Sequence, residues 1–360
     1  MKRHHRGGFV TACAGAIAAG VLTSAVTERK VPVRRKKRHP RPDPEAGERF
    51  GRLPGRTAFV VSDDGVPLHV QEAGDPSAPL TIVFTHGFVV SSPNWHYQRR
   101  DLGGIARLVF YDHRSHGRSG HSTAENCTID QLGDDLYRVL RERVPSGPVV
   151  LVGHSMGGMT IMALADRHPE LFGTQIAGVA LLSTSAGRMA EAALGLPAAI
   201  SVLVRKLVPK LTVGVHRRPG LIDRGRRHRL DLTYILSRRL GFGSDTVSPS
   251  LVDFLDRMVA GTSVDVIAAF LPTFLSHDKL KALDVLRDVP VLVLVGDADL
   301  VTPVDHSEEI AAALPNAELV VVPKAGHMVN LERPDIVTRQ IRRLAARALA
   351  EHTLMARRGA

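Results

Sequence analysis

Residues Val149 to Gly158 read Val-Val-Leu-Val-Gly-His-Ser-Met-Gly-Gly, and no other stretch of this chain restricts its fold as much. Four β-favouring residues run into a small-x-Ser-x-small turn, and an Ala- and Met-rich helical pattern follows from Met159 to Arg167. The pattern predicts a strand, a sharp turn and a helix, with Ser155 at the apex. Gly153 and Gly157 flank it because a side chain at either position would collide as the backbone folds back on itself. Such a turn exposes the Ser155 hydroxyl, and the helix start at Met156 supplies N–H groups without intrahelical partners. Gly-rich strand-to-helix connections of this composition also occur without chemistry, so the rest of the chain decides what the serine does.

Downstream, Pro290 to Val295 is an apolar strand pattern ending in Gly296-Asp297-Ala298-Asp299, with Thr302-Pro303 just beyond. Asp299 is the better candidate for an orienting carboxylate, and Asp297 the runner-up that shapes the turn. Ala317 to Pro323 reads as the last strand, followed by Gly326-His327 and a helix from Arg333 to Glu351. Serine, acid and histidine thus each follow a strand, where open α/β sheets place their sites. Upstream, Leu80 to Thr85 is a continuous apolar strand ending in His86-Gly87-Phe88. The Phe88 N–H there is placed to hold a developing oxyanion with that of Met156. His86 orders the loop rather than moving protons.

Thr57 to Ser62 and Val66 to Glu72 form a hairpin around Asp63-Asp64-Gly65. Ser92 to Leu102 is a helix entered by Pro93, Arg107 to Tyr111 a strand, and Thr128 to Arg143 an amphipathic helix. Between them lies a polar loop, Asp112 to Gly120, which Asp112 and Arg114 are expected to brace through an ion pair and backbone hydrogen bonds. His113 and His116 there are read as structural. From Gly178 to Thr184 the pattern is again a strand. About a hundred residues separate it from the next one, where a plain αβ connection takes about 2–6. This insertion carries helical patterns at Ala190 to Val208, Asp231 to Leu240, Ser250 to Ala260 and Ser263 to Phe274. Phe242, Phe254, Phe270 and Phe274 are candidates either for an acyl pocket or for the insertion's own core.

The formal net charge of +11 is concentrated at the start: residues 1–41 hold eleven Lys/Arg against Glu28 alone. The main domain is therefore near neutrality, and the basic pI does not mark it as a nucleic-acid binder. An uncharged run of 21 residues, 7–27, is long enough to cross a bilayer. The basic cluster Arg34 to Arg38 behind it favours a membrane-associated segment with a cytoplasmic catalytic domain; a cleaved signal peptide with export is the alternative, and a basic tail a third reading. Residues 205–239 carry eleven Lys/Arg against Asp223 and Asp231, either a solvated face or one that meets anionic lipid or attracts an acidic substrate. The alternation of proline and charge near Pro40 to Pro44 reads as linker, with folded structure beginning near Arg56. The chain accordingly divides into a leader (1–49), a core (50–186 and 278–360) and a helical cap insertion (187–277). Two cysteines, Cys13 and Cys127, exclude a disulfide framework.

From about residue 56 to 350 the chain resembles the α/β-hydrolase superfamily. The motifs that carry the resemblance are His86-Gly87-Phe88, Asp112-x-Arg114-x-x-Gly117-x-Ser119, Gly153-His154-Ser155-Met156-Gly157-Gly158, Gly296-x-x-Asp299-x-x-x-Pro303 and Gly326-His327. Ser115 departs from the glycine that the family often has there. The resemblance implies an α/β fold with a mostly parallel eight-stranded sheet, helices on both faces and a helical cap. It also implies Ser155 as nucleophile, His327 as base, Asp299 as orienting acid, and Phe88 and Met156 as oxyanion donors, with neither metal nor organic cofactor. The expected reaction is acyl transfer from a small, lipid-like or otherwise apolar carboxylic ester. Alternatives on the same triad are a thioesterase, a carbon–carbon bond hydrolase or a cofactor-free haloperoxidase. A non-catalytic binding protein is the reading from another class, disfavoured by the complete set of triad candidates.

Overall fold

In the computed structural model, residues 42–189, 234–235 and 237–359 are described. The apolar run 7–27, the helical pattern Ala190 to Val208 and most of the basic stretch 205–239 lie outside them. Eight strands form one sheet: β1 (Arg56–Val61), β2 (Pro67–Gly74), β3 (Thr81–Thr85), β4 (Arg107–Tyr111), β5 (Val149–His154), β6 (Ile176–Leu182), β7 (Val291–Gly296) and β8 (Ala317–Val322). Their order is β1-β2-β4-β3-β5-β6-β7-β8, with β2 antiparallel to β1 and β4 and every other pairing parallel.

The central strands are apolar on both faces because both faces are covered. Val83, Val109, Leu151 and Val293 point into a core shared with α2 (Ile129–Arg143) and α3 (Met156–Arg167), which follow β4 and β5. Their neighbours Phe84, Phe110, Val152 and Leu294 enter a second core on the other face. That core is closed by α1 (His96–Leu102) and by the last helix, Pro334–Gly359. Thr128 caps α2, its hydroxyl accepting from the Gln131 N–H at 3.1 Å. The alternation of period two within β3–β7 is what divides these residues between the two cores.

Above the carboxyl ends of the strands lie α4 (Pro249–Ala260) and α5 (Val264–Ser276), both from the long β6–β7 connection. Phe242, Phe254 and Leu255 pack with Val90, Tyr97, Met328 and Leu331. Phe270, with Phe274 beside it, packs on Met156, Met159 and Phe88. Each of the four candidate phenylalanines therefore takes part in holding the connection to the sheet. α6 (Val304–Ala313) lies between β7 and β8, and a short helix, α7 (Val329–Glu332), comes between β8 and the terminal α8 (Pro334–Gly359).

Two expectations change. Residues 42–55 are not a linker. Asp43 accepts from the Ser250 hydroxyl at 2.7 Å and from the Ser248 hydroxyl, at the start of α4. Glu48 meets His96 at 3.0 Å and Arg100 at 3.5 Å, and the Phe50 ring stacks on Phe254 at 4.8 Å. This strap joins α4 to α1, so residues 42–55, ahead of Arg56, are already part of the folded structure. In the polar loop, Asp112 and Arg114 do not pair with each other. The buried Arg114 guanidinium bridges Asp135 and Asp64, each at 2.6 Å. The expected backbone hydrogen bonds are made: Asp112 accepts from the Ser92 N–H at 2.7 Å and the Arg118 N–H at 2.9 Å, and faces His69 at 3.1 Å.

Candidate active site

Ser155 has φ 53° and ψ −119°, a backbone conformation that an L-residue adopts only when its surroundings impose it. The impositions are identifiable. A Cβ on Gly157 would stand 2.2 Å from the Thr85 carbonyl oxygen, and one on Gly153 would stand 2.6 Å from that of Gly157. The Ser155 N–H is used by the Leu182 carbonyl at 2.9 Å, and the Thr184 hydroxyl donates to the Ser155 carbonyl at 2.7 Å. β3, β6 and the loop after β6 therefore pin the turn between β5 and α3. The serine is 9% exposed, less open than the isolated turn suggests, because α5 packs over its neighbours Met156 and Met159.

The β3 loop runs directly alongside. A Cβ on Gly87 would lie 3.3 Å from the Ser155 Cβ, so Gly87 lets the backbone reach the turn. His86 orders this loop. Its Nε2 accepts the His113 N–H at 2.9 Å, which leaves Nδ1–H to donate to the Gly87 carbonyl at 2.7 Å. Burial keeps the His86 imidazole below its usual pKa, against the pull of Asp112. The ring of Phe88, next in sequence, packs on Phe274 at 4.9 Å and Phe270 at 5.8 Å. Met156 is the first residue of α3, where the helix leaves its N–H without an intrahelical acceptor.

Asp299 and His327 meet at the same edge. The His327 Nδ1 lies 2.9 Å from Asp299 Oδ2 and 3.1 Å from Oδ1. The carboxylate also accepts from the Val301 N–H at 2.8 Å, the Thr302 N–H at 2.9 Å and the Thr302 hydroxyl at 3.0 Å. Burial works against the charge, yet the His327 ring and these donors outweigh it, so the carboxyl titrates below its ordinary range. Asp297 turns elsewhere and accepts the Lys324 N–H at 2.7 Å, which is the turn-shaping role read from its position.

His327 is tied to the turn through His154, the residue before Ser155. His154 donates Nε2–H to the His327 carbonyl at 2.8 Å, and the two rings lie 4.9 Å apart. Burial lowers the His154 pKa to about 3, so the ring is neutral and acts as a fixed strut. Glu332 supports the other side of the histidine loop: its carboxylate accepts the N–H groups of Gly326 at 2.7 Å, Gly243 at 3.0 Å and Ser244 at 2.6 Å. Gly326 and Gly243 pack backbone to backbone, a Cβ on Gly326 falling 2.6 Å from the Gly243 nitrogen. Of the five residues singled out from the sequence, Asp299 and His327 are in direct contact, His154 ties that histidine to the turn of Ser155, and Phe88 and Met156 lie in one apolar cluster beside the same turn.

Thr302, His154 and Glu332 were not assigned roles by the sequence. Thr302 is foreshadowed by its place three residues after the acid, and His154 by its place beside the serine. Glu332 has no local signal. Ser115, where a glycine is often found, does sit at a positive φ of 62°, and its hydroxyl accepts the Ser122 N–H at 2.9 Å. Cys127 is buried, and burial raises its thiol pKa. Among the described residues, no group of three or more His, Cys, Asp or Glu side chains is arranged to hold a metal ion.

Comparison with known proteins agrees with this architecture. A proline iminopeptidase from Pestalotiopsis fici is 25% identical over 78% of this chain and 97% of its own length. An sn-1-specific diacylglycerol lipase from Mus musculus is 26% identical over 72% of this chain and 79% of its own. In structure, a thermophilic esterase from Thermogutta terrifontis superposes with a TM-score of 0.63 at 24% identity, covering 81% of this chain and 99% of that one. The family model described as alpha/beta hydrolase fold matches residues 81–334, a span running from β3, through the strained serine and Asp299, to His327 and just beyond. Sheet order, turn geometry and that match converge: the chain belongs to the α/β-hydrolase family of enzymes.

Proposed function

We propose that the chain is a serine hydrolase that cleaves carboxylic esters, lipid-like or otherwise apolar, through an acyl-enzyme. The observation that carries this reading is the buried Asp299 carboxylate on the Nδ1 of His327 at 2.9 Å, with His154 tying that histidine to the turn of Ser155. Asp299 fixes the tautomer that leaves the His327 Nε2 free to accept a proton, and stabilises the imidazolium once formed. The Ser155 Oγ attacks the ester carbonyl as its proton passes to Nε2. Negative charge develops on the carbonyl oxygen, where the N–H groups of Phe88 and Met156 receive it. The imidazolium then returns its proton to the departing alcohol. Water, deprotonated by the same nitrogen, attacks the acyl-enzyme, and the proton taken from it returns to Ser155 as the acid leaves.

The apolar character of the substrate is inferred from the surroundings. Phe88, Phe270 and Phe274 cluster beside Met156 and Met159, and the β6–β7 connection that supplies two of them would act as the cap. The proline iminopeptidase and the diacylglycerol lipase among its relatives differ in the bond they take, so the test spans both. Purified full-length protein is assayed on nitrophenyl esters of increasing chain length and on a prolyl nitroanilide, with a fluorophosphonate probe alongside. The reading expects ester turnover favouring medium or long acyl chains, and labelling that Ser155→Ala abolishes together with activity. Undiminished turnover in Ser155→Ala would sink it, and turnover of the anilide alone would replace the ester by an amide.

A further inference from the structure

Residues 183–187, the loop that leaves β6, hold the serine turn and are themselves held by a second set of buried polar groups. Ser183, Thr184, Ser185 and Ala186 are fully buried, and Ser183 keeps a positive φ of 45° without being glycine. Its N–H continues the sheet by donating to the Leu294 carbonyl at 2.8 Å. Thr184 donates to the Ser155 carbonyl at 2.7 Å, and its side chain is packed so closely on α3 that a Cβ on Gly158 would stand 2.5 Å from the Thr184 Oγ1. Ser185, next in sequence, is bonded through both its hydroxyl and its carbonyl. The hydroxyl donates to the Gly187 carbonyl and has no further proton to give. The Nδ1 of His306, 2.8 Å away, is therefore the donor to that oxygen, alongside the Gly187 N–H at 3.2 Å. The Ser185 carbonyl accepts Nε2–H of His277 at 3.0 Å, and the Ala186 carbonyl accepts the Lys279 N–H at 2.6 Å.

These partners come from two places that bear on the site. His306 lies in the first turn of α6, which starts directly after the loop of Asp299 and Thr302. His277 follows the last residue of α5, the helix whose Phe270 and Phe274 pack with Phe88 and Met156. Two residues on, the Lys279 ammonium is anchored to Asp130 of α2 at 2.8 Å and Asp166 of α3 at 2.5 Å. One serine therefore collects the helix that follows the acid and the return of the β6–β7 connection, beside the threonine that holds the Ser155 carbonyl. We propose that Ser185, His277 and His306 are positioning residues, which fix Thr184, and through it the Ser155 backbone, relative to the Asp299 loop and to α5. This rests on Ser155 being the nucleophile proposed above; none of the three touches the reacting atoms. Ser155 keeps its φ of 53° only because its surroundings impose it, so slack in residues 183–187 passes directly to the nucleophile.

The test uses the full chain and reads two quantities: kcat and KM on whichever chromogenic substrate the wild type turns over, and deuterium exchange of the peptide spanning 153–160. Ser185→Ala, His306→Leu and His277→Leu each delete one set of these bonds. His306→Asn and His277→Gln keep an N–H donor near the place of the ring nitrogen that is lost. Val139→Ala, in the core between α2 and the sheet, lowers stability without touching the loop and is the structural control. In the three deleting variants kcat is expected to fall about tenfold, the worth of one buried hydrogen bond, with KM within about twofold. Exchange at 153–160 should rise in the same variants. His306→Asn and His277→Gln should recover both readouts, and Val139→Ala should change neither although its urea midpoint drops. Ser185→Ala removes a single oxygen and carries the test should a leucine variant not fold. Unchanged exchange at 153–160 in the deleting variants overturns the proposal, as does unchanged kcat in an active enzyme. Conservative variants as damaged as the leucines, or a Val139→Ala that mimics them, overturn it too. If the wild type turns over no substrate, the exchange arm decides alone: a rise confined to the deleting variants keeps the positioning role while the hydrolase reading falls.

Discussion

At the scale of single residues, the arrangement around Asp299 divides one task among several groups. The carboxylate is charged although buried, and three donors besides His327 share the cost of keeping it so. Replacing it with Asn keeps the shape and removes the charge that holds the His327 tautomer. Asp299→Asn is expected to lower kcat by about 10⁴-fold with little change in KM, by analogy with general triad behaviour. Thr302→Val deletes the 3.0 Å hydroxyl bond to Asp299 and the 3.4 Å contact of the same hydroxyl with His327 Nδ1, and leaves both backbone donors in place. A loss of about tenfold is expected there, corresponding to one charge-assisted hydrogen bond. Steady-state kinetics on a nitrophenyl ester read both, and an Asp299→Asn enzyme as fast as wild type would remove Asp299 from the mechanism. Asp297 supplies the contrast. Its bond is to the Lys324 N–H in the turn, so Asp297→Asn should leave kcat within about twofold and act, if at all, on stability, since the neutral amide oxygen still accepts.

At the scale of elements, part of the fold is written in local sequence and part is not. Strands β3 to β7 announce themselves as short β-branched and apolar runs, and the candidate residues Phe88, Ser155 and Asp299 follow the carboxyl ends of β3, β5 and β7. The glycines of the elbow were legible for the same local reason. A Cβ on Gly157 meets the Thr85 carbonyl at 2.2 Å, and backbone cannot yield as a side-chain tip can. Gly157→Ala is therefore expected to cost about 3 kcal/mol or more, at the upper end of overpacking penalties, visible as a lowered urea midpoint. The strap was not legible. Its proline and charge content matches a linker, while what orders it comes from residues 248 and 250 and from Phe254, some two hundred positions away. Arg114 is a similar case, since Asp135 and Asp64 approach it from α2 and the β1–β2 turn and not from its own loop. Removing the Phe50 ring tests the strap as an element: Phe50→Ala should raise amide exchange across 249–260 while leaving β3–β7 protected. Equal protection of both in the variant would mean that α4 is held by the sheet-side cluster alone.

Several imidazoles are buried among the described residues, and together they set how the molecule tolerates acid. Burial holds His116 and His154 at about 3 and His277 at about 4, and also lowers His86 and, further still, His113. Each ring is neutral in the fold and would protonate in the unfolded chain near about pH 6.5. The folded pKa values lie below the unfolded one, so the unfolded state binds more protons throughout the interval between them. Stability is then complete above about pH 6.5 and is lost as the pH falls toward the folded values. One such group contributes a slope of about 1.4 kcal/mol per pH unit, so His116, His154 and His277 together give about 4 kcal/mol per unit near pH 5. Set against a total stability of about 5–15 kcal/mol, that slope suffices to unfold the protein in mild acid. Carboxylates with lowered pKa values, Asp112 at about 2 and Asp299, add to the loss in the same direction but only below the ordinary carboxylate pKa of about 4. A fall between pH 7 and 5 therefore reports the histidines. Urea unfolding followed at pH 7, 6 and 5 should show the midpoint dropping steeply over the second step, with an uptake of about three or more protons per molecule unfolded at pH 5. A midpoint unchanged from pH 7 to 5 would mean that these rings already carry their protons in the fold, and that His154 is not the neutral strut on which the position of His327 depends.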